Sequence, residues 1–244
     1  LGAGWYKGVM GLTRARNNYG DRTAFSLQLA LQYDDGTTEI VTTGASWQGT
    51  TAPVTFSEIY HGEEYDAALE LPGWADAAAP DAAPAGRWHG VETVTYPAAQ
   101  LYAQAAGKVS VRNRLPAQRI FTTPAGETVV DFGQNMAGRV EITATGGPGD
   151  IAELRCFEEL DADGNAYLAN LRKARTIMRY KFAQPGTVTW HPQFTYMGFR
   201  YALVAQWPGT PRAENFTAYT LHTAMEPAGQ FQCSEPLVNG LHHN

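Results

Sequence analysis

In this 244-residue chain the residues best suited to chemistry are carboxylates set into apolar segments. Pairs of Asp or Glu hydrolyse glycosidic bonds, one as acid and the other as base or nucleophile, so a carboxylate aimed at the core is worth finding. Along Ala152, Leu154, Cys156, Glu158 and Leu160 one strand parity is apolar except at Glu158, which predicts an inward-facing carboxylate there. An unpaired charge in that position costs several kcal/mol, so Glu158 must be paired, protonated or catalytic. Arg200 of "GFRY" is the expected partner, with Arg172 and Arg175 as alternatives. A structural ion pair is favoured over a catalytic acid, because ion-pair networks also perturb carboxylates. "VDFGQN" adds Asp131, Gln134 and Asn135 beside Gly133, polar groups of the kind that satisfy buried backbone where two elements meet.

A second constellation, "IYHGEEYDAALELPGW", mixes aromatic and acidic residues. Tyr60, Tyr65 and Trp74 could stack on a sugar ring, while Glu63, Glu64 and Asp66 accept hydroxyl hydrogen bonds or hold a cation; ordinary half-buried packing competes with this. Trp5, in "LGAGWYKG", joins Tyr65, Asp66 and Trp74 as an expected carbohydrate-binding residue. "LGAGWYKG" lacks the dinucleotide fingerprint, and "DADGNAY" fails the calcium-loop pattern, with Gly164 fourth instead of sixth and Arg172 at the twelfth position. It reads as a hairpin loop. Of six histidines, His89, His191 and His222 are isolated and His242 and His243 sit at the chain end. Cys156 and Cys233, far apart, form neither a disulfide framework nor a zinc pattern.

Composition narrows the partners. A net charge of −6 without a strong basic cluster argues against nucleic acid and anionic membranes and suits neutral substrates such as sugars. Every apolar run is too short for a membrane-spanning helix. The start, "LGAGWYKGVM", shows neither an initiator Met nor a signal pattern and reads as mid-domain, so the first unit is expected to be incomplete.

These residues need elements to position them, and the elements read as strands. "FSLQLALQYDDGTTEIV" alternates and turns at Asp35-Gly36, an antiparallel pair with one wet face. An Ala/Pro-rich stretch between Trp74 and Trp88 reads as a surface excursion. After about residue 107 strands follow in close succession, with a hairpin turn expected at Gly146-Gly147-Pro148-Gly149. In "HPQFTYMGFRYALV" the apolar parity switches between Met197 and Gly198, which predicts a β-bulge there. Near the end Ser234 and Pro236 predict the start of a helix. The fold class is all-β, two consecutive antiparallel jelly-roll-like sandwiches over residues 1–107 and 108–226, then a linker and helix over 227–244.

"LGAGWYKG", "YDDGTTEIVTTGASWQ", "IYHGEEYDA", "DFGQNMAGRVEI", "FEELDADGNAYLANLRKA" and "WHPQFTYMGFRYALV", in this order, resemble the non-catalytic N-terminal region of bacterial α-L-rhamnosidases across essentially the whole chain. The resemblance implies a rhamnose-binding-type jelly roll, then a second sandwich with the DFGQN and GFRY motifs, then an (α/α)-barrel that carries the catalytic carboxylates. It implies no catalytic residue in this chain and no required cofactor, leaves calcium open for the first unit, and makes L-rhamnose glycosides and the barrel the partners. The chain departs from the family pattern at Ala68, where Arg is usual, at Met197, where His is common, and at Met178, where Asp is common. A stand-alone rhamnose-binding module is the alternative, and a complete small glycosidase using Glu158 with Asp131 or Asp161 ranks last.

Overall fold

The computed structural model describes residues 1–10, 15–76, 87–95, 102–226 and 228–243. Most of the expected Ala/Pro-rich excursion, 77–86, lies outside the described residues. A short helical turn, α1 (Gly4–Lys7), precedes β1 (Gln28–Gln32), β2 (Thr38–Thr42), β3 (Gln48–Gly49), β4 (Val54–Glu58), β5 (Gly62–Asp66) and β6 (His89–Gly90). Then come β7 (Val109–Pro116), β8 (Arg119–Thr122), β9 (Thr128–Gly146), β10 (Ile151–Phe157), β11 (Ile177–Lys181), β12 (Gly186–Trp190), β13 (Met197–Gln206), β14 (Phe216–Thr223) and α2 (Pro236–His243). The all-β class holds, and α2 starts at Pro236, where Glu235 and not Ser234 accepts an N–H of the first turn, from Leu237.

β1 and β2 pair through the expected turn, with Leu29 opposite Val41, and β3 pairs with β6. The other ten strands form one sheet in the order β4-β5-β11-β10-β13-β9-β14-β7, with β8 and β12 also on β9. The 19-residue β9 makes this possible. Its first half pairs with β8 and β13 and its second half with β14 and β12, so one strand belongs to both layers. The layers close on a main core of Val130, Phe132, Leu154, Met178, Phe199 and Phe216 with their neighbours, and a smaller cluster gathers Val129, Phe157 and Tyr201. Met136, Gly138, Val140, Ile142 and Ala144 alternate inward along β9, the period-2 pattern of a strand with one buried face.

Three expectations change. β10 is no hairpin partner of β9; the glycine-rich turn is present, but β10 pairs with β11 and β13. β5 runs parallel to β11, from Gly62 opposite Ile177 to Asp66 opposite Lys181, which long chain separation permits. The hairpin β4–β5, read as part of the first unit, is therefore hydrogen-bonded to strands of the second. Last, Phe194 and Tyr196 precede β13 and are exposed, and the irregularity lies on the opposing strand. The register passes from Phe199 opposite Met136 to Tyr201 opposite Asp131, which leaves Phe132, Gly133, Gln134 and Asn135 facing Arg200 alone.

Candidate functional site

The irregular segment of β9 carries the DFGQN motif. Gly133 takes a φ of +81°, a backbone state that suits glycine, and its N–H donates to Asp131 Oδ1 at 2.8 Å. Arg200, across the sheet, donates through Nε to Oδ1 at 2.9 Å and through Nη2 to Oδ2 at 3.1 Å; Arg119 Nε reaches Oδ2 at 3.2 Å. The Asp131 side chain is 4 % exposed. Burial pushes its carboxyl up, but the Arg200 fork, the Gly133 N–H and Arg119 outweigh this and hold it below the ordinary value. Arg200 also lies over the Tyr201 ring at 4.9 Å.

The partner of Arg200 is thus Asp131, in place of the expected Glu158. β10 ends at Phe157, so the alternation that buries Ala152, Leu154 and Cys156 stops before Glu158, which stays partly exposed. Asn135 Nδ2 donates to Glu158 Oε1 at 3.1 Å, and Gln134 is exposed on the bulge. Arg175 pairs with Glu64 at 2.8 Å. Asp161 accepts the N–H groups of Asp163 and Asn165 through Oδ1, the arrangement of a tight turn.

The expected sugar-binding residues are divided. Tyr65 packs on Tyr180 at the core's edge, ring centroids 5.3 Å apart, while Asp66, its neighbour on β5, points the other way. Asp66 accepts from Ala68 N–H and from Lys181 Nζ at 2.9 Å. Trp5 meets Tyr60 edge-on at 5.1 Å, and Trp74 is 68 % exposed.

Three carboxylates are buried in roles that the sequence patterns did not assign, and one of them, Glu153, accepts from Arg179 at 2.6 Å. Glu63, fully buried, accepts the backbone N–H groups of Gln193 and Phe194, the latter at 2.7 Å, and so clasps β5 to the segment entering β13. Its burial, only partly offset by those N–H groups, raises its carboxyl above the ordinary value. The signal was its shared parity with Tyr65 on β5. Glu58, also buried, pairs with Arg16, which lies far away in sequence and left no local signal.

Fold and site together define an all-β scaffold whose inward carboxylates are held by structural partners. Residues 1–113 match the family model described as the α-L-rhamnosidase N-terminal domain, and residues 121–222 match the bacterial α-L-rhamnosidase concanavalin-like domain. The chain belongs to the bacterial α-L-rhamnosidase family, in its N-terminal β-sandwich region. It is 36% identical over 242 residues to an α-L-rhamnosidase of Streptomyces avermitilis, covering 99% of this chain and 23% of that protein. The structure of a Streptomyces avermitilis α-L-rhamnosidase complexed with L-rhamnose superposes with a TM-score of 0.90 at 34% identity, over 99% of this chain and 23% of that one. A native α-L-rhamnosidase from Aspergillus terreus gives 0.91 at 34% identity, over 99% of this chain and 28% of that one. The chain thus spans about a quarter of the length of the relatives it matches.

Proposed function

We propose that the chain is the accessory, non-hydrolytic β-sandwich region of an α-L-rhamnosidase and supports an (α/α)-barrel that removes terminal L-rhamnose from glycosides. The observation that carries this is the state of its carboxylates. Asp131, gripped by two arginines and an amide N–H, stays ionised and is a poor proton donor. Glu158, its partner in the glycosidase alternative, is tied to Asn135, and Asp161 to its own turn. The tandem family match supports the same reading.

Among the described residues no group of three or more His, Cys, Asp and Glu side chains is placed to hold a metal ion, so the proposal assigns no calcium ligand to this chain. The alternative, a stand-alone rhamnose-binding module, is favoured by one observation, the solvent-facing Trp74.

Hydrolysis of a chromogenic α-L-rhamnoside by the 244-residue chain tests the proposal. No turnover is expected. Turnover that disappears in Glu158→Gln would overturn the accessory role and make Glu158 a catalytic acid.

A further inference from the structure

Beside Tyr65 the two layers part. Residues of β5, β11 and β12 and of the segments that follow β5 and β11 line a cleft of about 350 Å³. Its wall is aromatic: Tyr65, Tyr180, Phe182 and Trp190. Tyr65 and Tyr180 lie nearly parallel, 12° apart; Trp190 tilts against them at 5.9 and 5.6 Å, and Phe182 meets Tyr180 edge-on at 5.0 Å. Tyr180 and Phe182 are buried, while Tyr65 and Trp190 keep part of their surface in solvent. Rings that brace one another need little ordering when a ligand arrives, which preserves affinity.

The rim is polar. Glu70 and Gln184 are exposed there, and Glu70 Oε1 accepts the Tyr65 hydroxyl at 2.8 Å. That bond uses one carboxylate oxygen. Burial first, then Glu70, raises the Tyr65 phenol, so its hydroxyl remains a donor at neutral pH. The Trp190 indole N–H is buried without an acceptor among the described residues.

Ligand sites of this kind run from roughly 300 to 1,000 Å³, mostly apolar with a few placed polar groups, so this one suits a single small ring. A purely apolar ligand would strip water from Glu70 and Gln184 without replacing its hydrogen bonds. An anion would face the Glu70 charge. A pyranose offers a C–H face to the rings and hydroxyls that both donate to Glu70 and accept from the Gln184 amide. We infer that the Tyr65–Tyr180–Trp190 cleft, with Glu70 and Gln184 at its rim, is a metal-independent binding site for one neutral pyranoside ring. The cleft stands on its own geometry, and only the choice of a rhamnoside as first probe rests on the proposed function.

The test is titration of the 244-residue chain with methyl α-L-rhamnopyranoside and, separately, methyl α-D-glucopyranoside, by calorimetry and saturation-transfer NMR in the presence of EDTA. Millimolar binding is expected, weakened about tenfold in Tyr65→Ala and in Glu70→Gln by loss of ring contact or of a charged acceptor. Glu70 is exposed, so its variant keeps the fold and carries the test if Tyr65→Ala does not. Binding of the glucoside alone, with the same dependence on Glu70, upholds the cleft and counts against the rhamnoside reading. No binding of either glycoside, binding unchanged in both variants, or binding that needs calcium would overturn the cleft and leave the family assignment intact. Displacement of the sugar by tetramethylammonium at lower concentration would overturn its ligand class in favour of a cation held on the ring faces.

Discussion

A carboxylate is defined by what surrounds it, and three in this chain show the range. Asp131 is buried and fully paired. Its depressed folded-state value stabilises the fold above the unfolded value of about 4, and this contribution is lost as pH falls through the lower folded value. Arg200→Ala should therefore cost about 3 kcal/mol at neutral pH, because Asp131 is left buried with a weaker partner, and its deficit should narrow in acid. Glu158→Gln should cost less than about 1 kcal/mol, since Glu158 is partly exposed. Urea midpoints at neutral and acidic pH check both. Glu63 behaves oppositely. Its raised value means the folded state holds a proton that the unfolded state releases, so this residue makes stability fall as pH climbs from about 4 through the folded value. Glu63→Gln should remove that part of the slope, and an unchanged pH profile would show that the clasp stays ionised throughout.

Elements meet here at two glycines. Gly133 shapes the segment of β9 that faces Arg200, and a Cβ at its φ of +81° would also lie 2.2 Å from the Gln118 amide. Gly133→Ala should cost about 1–3 kcal/mol, read from the thermal midpoint. At Gly62, with a φ of +103°, a Cβ would fall 1.8 Å from the Ile177 carbonyl oxygen, on backbone that has nowhere to go. Gly62→Ala should prise β5 from β11. The clearest sign would be faster hydrogen exchange in β4, β5 and β11, with β9 and β14 still protected. The strands themselves were readable from alternation and turn residues: Asp35-Gly36 marks a hairpin, and Val140 to Ala144 mark an inward face. Their partners were not. Nothing local says that β10 leaves β9 for β11 and β13, or that β5 adds in parallel.

At the scale of the molecule burial is uneven. The main sheet closes on a well-buried core, whereas the β1–β2 pair and the residues flanking it leave Phe25, Leu29, Tyr33 and Ile40 exposed. Exposed apolar side chains favour association. The isolated chain should self-associate as its concentration rises, and Ile40→Lys should shift its light-scattering mass toward that of a monomer. Amides of β1 and β2 should exchange well before those of β9 and β13, because few buried contacts hold the pair.

The sequence by itself determined the class of fold, the positions of most strands and the ordered motifs of the family, because alternation, turn residues and their order are local properties of the chain. Only the tertiary structure decided which carboxylate meets which arginine, where the bulge falls and how four aromatic rings frame a cleft. Those depend on register between strands far apart in sequence. Arg200 shows the reason: the irregular register between β9 and β13 brings Asp131 to its guanidinium, while Glu158, past the end of β10 on the other side of β13, is held by Asn135.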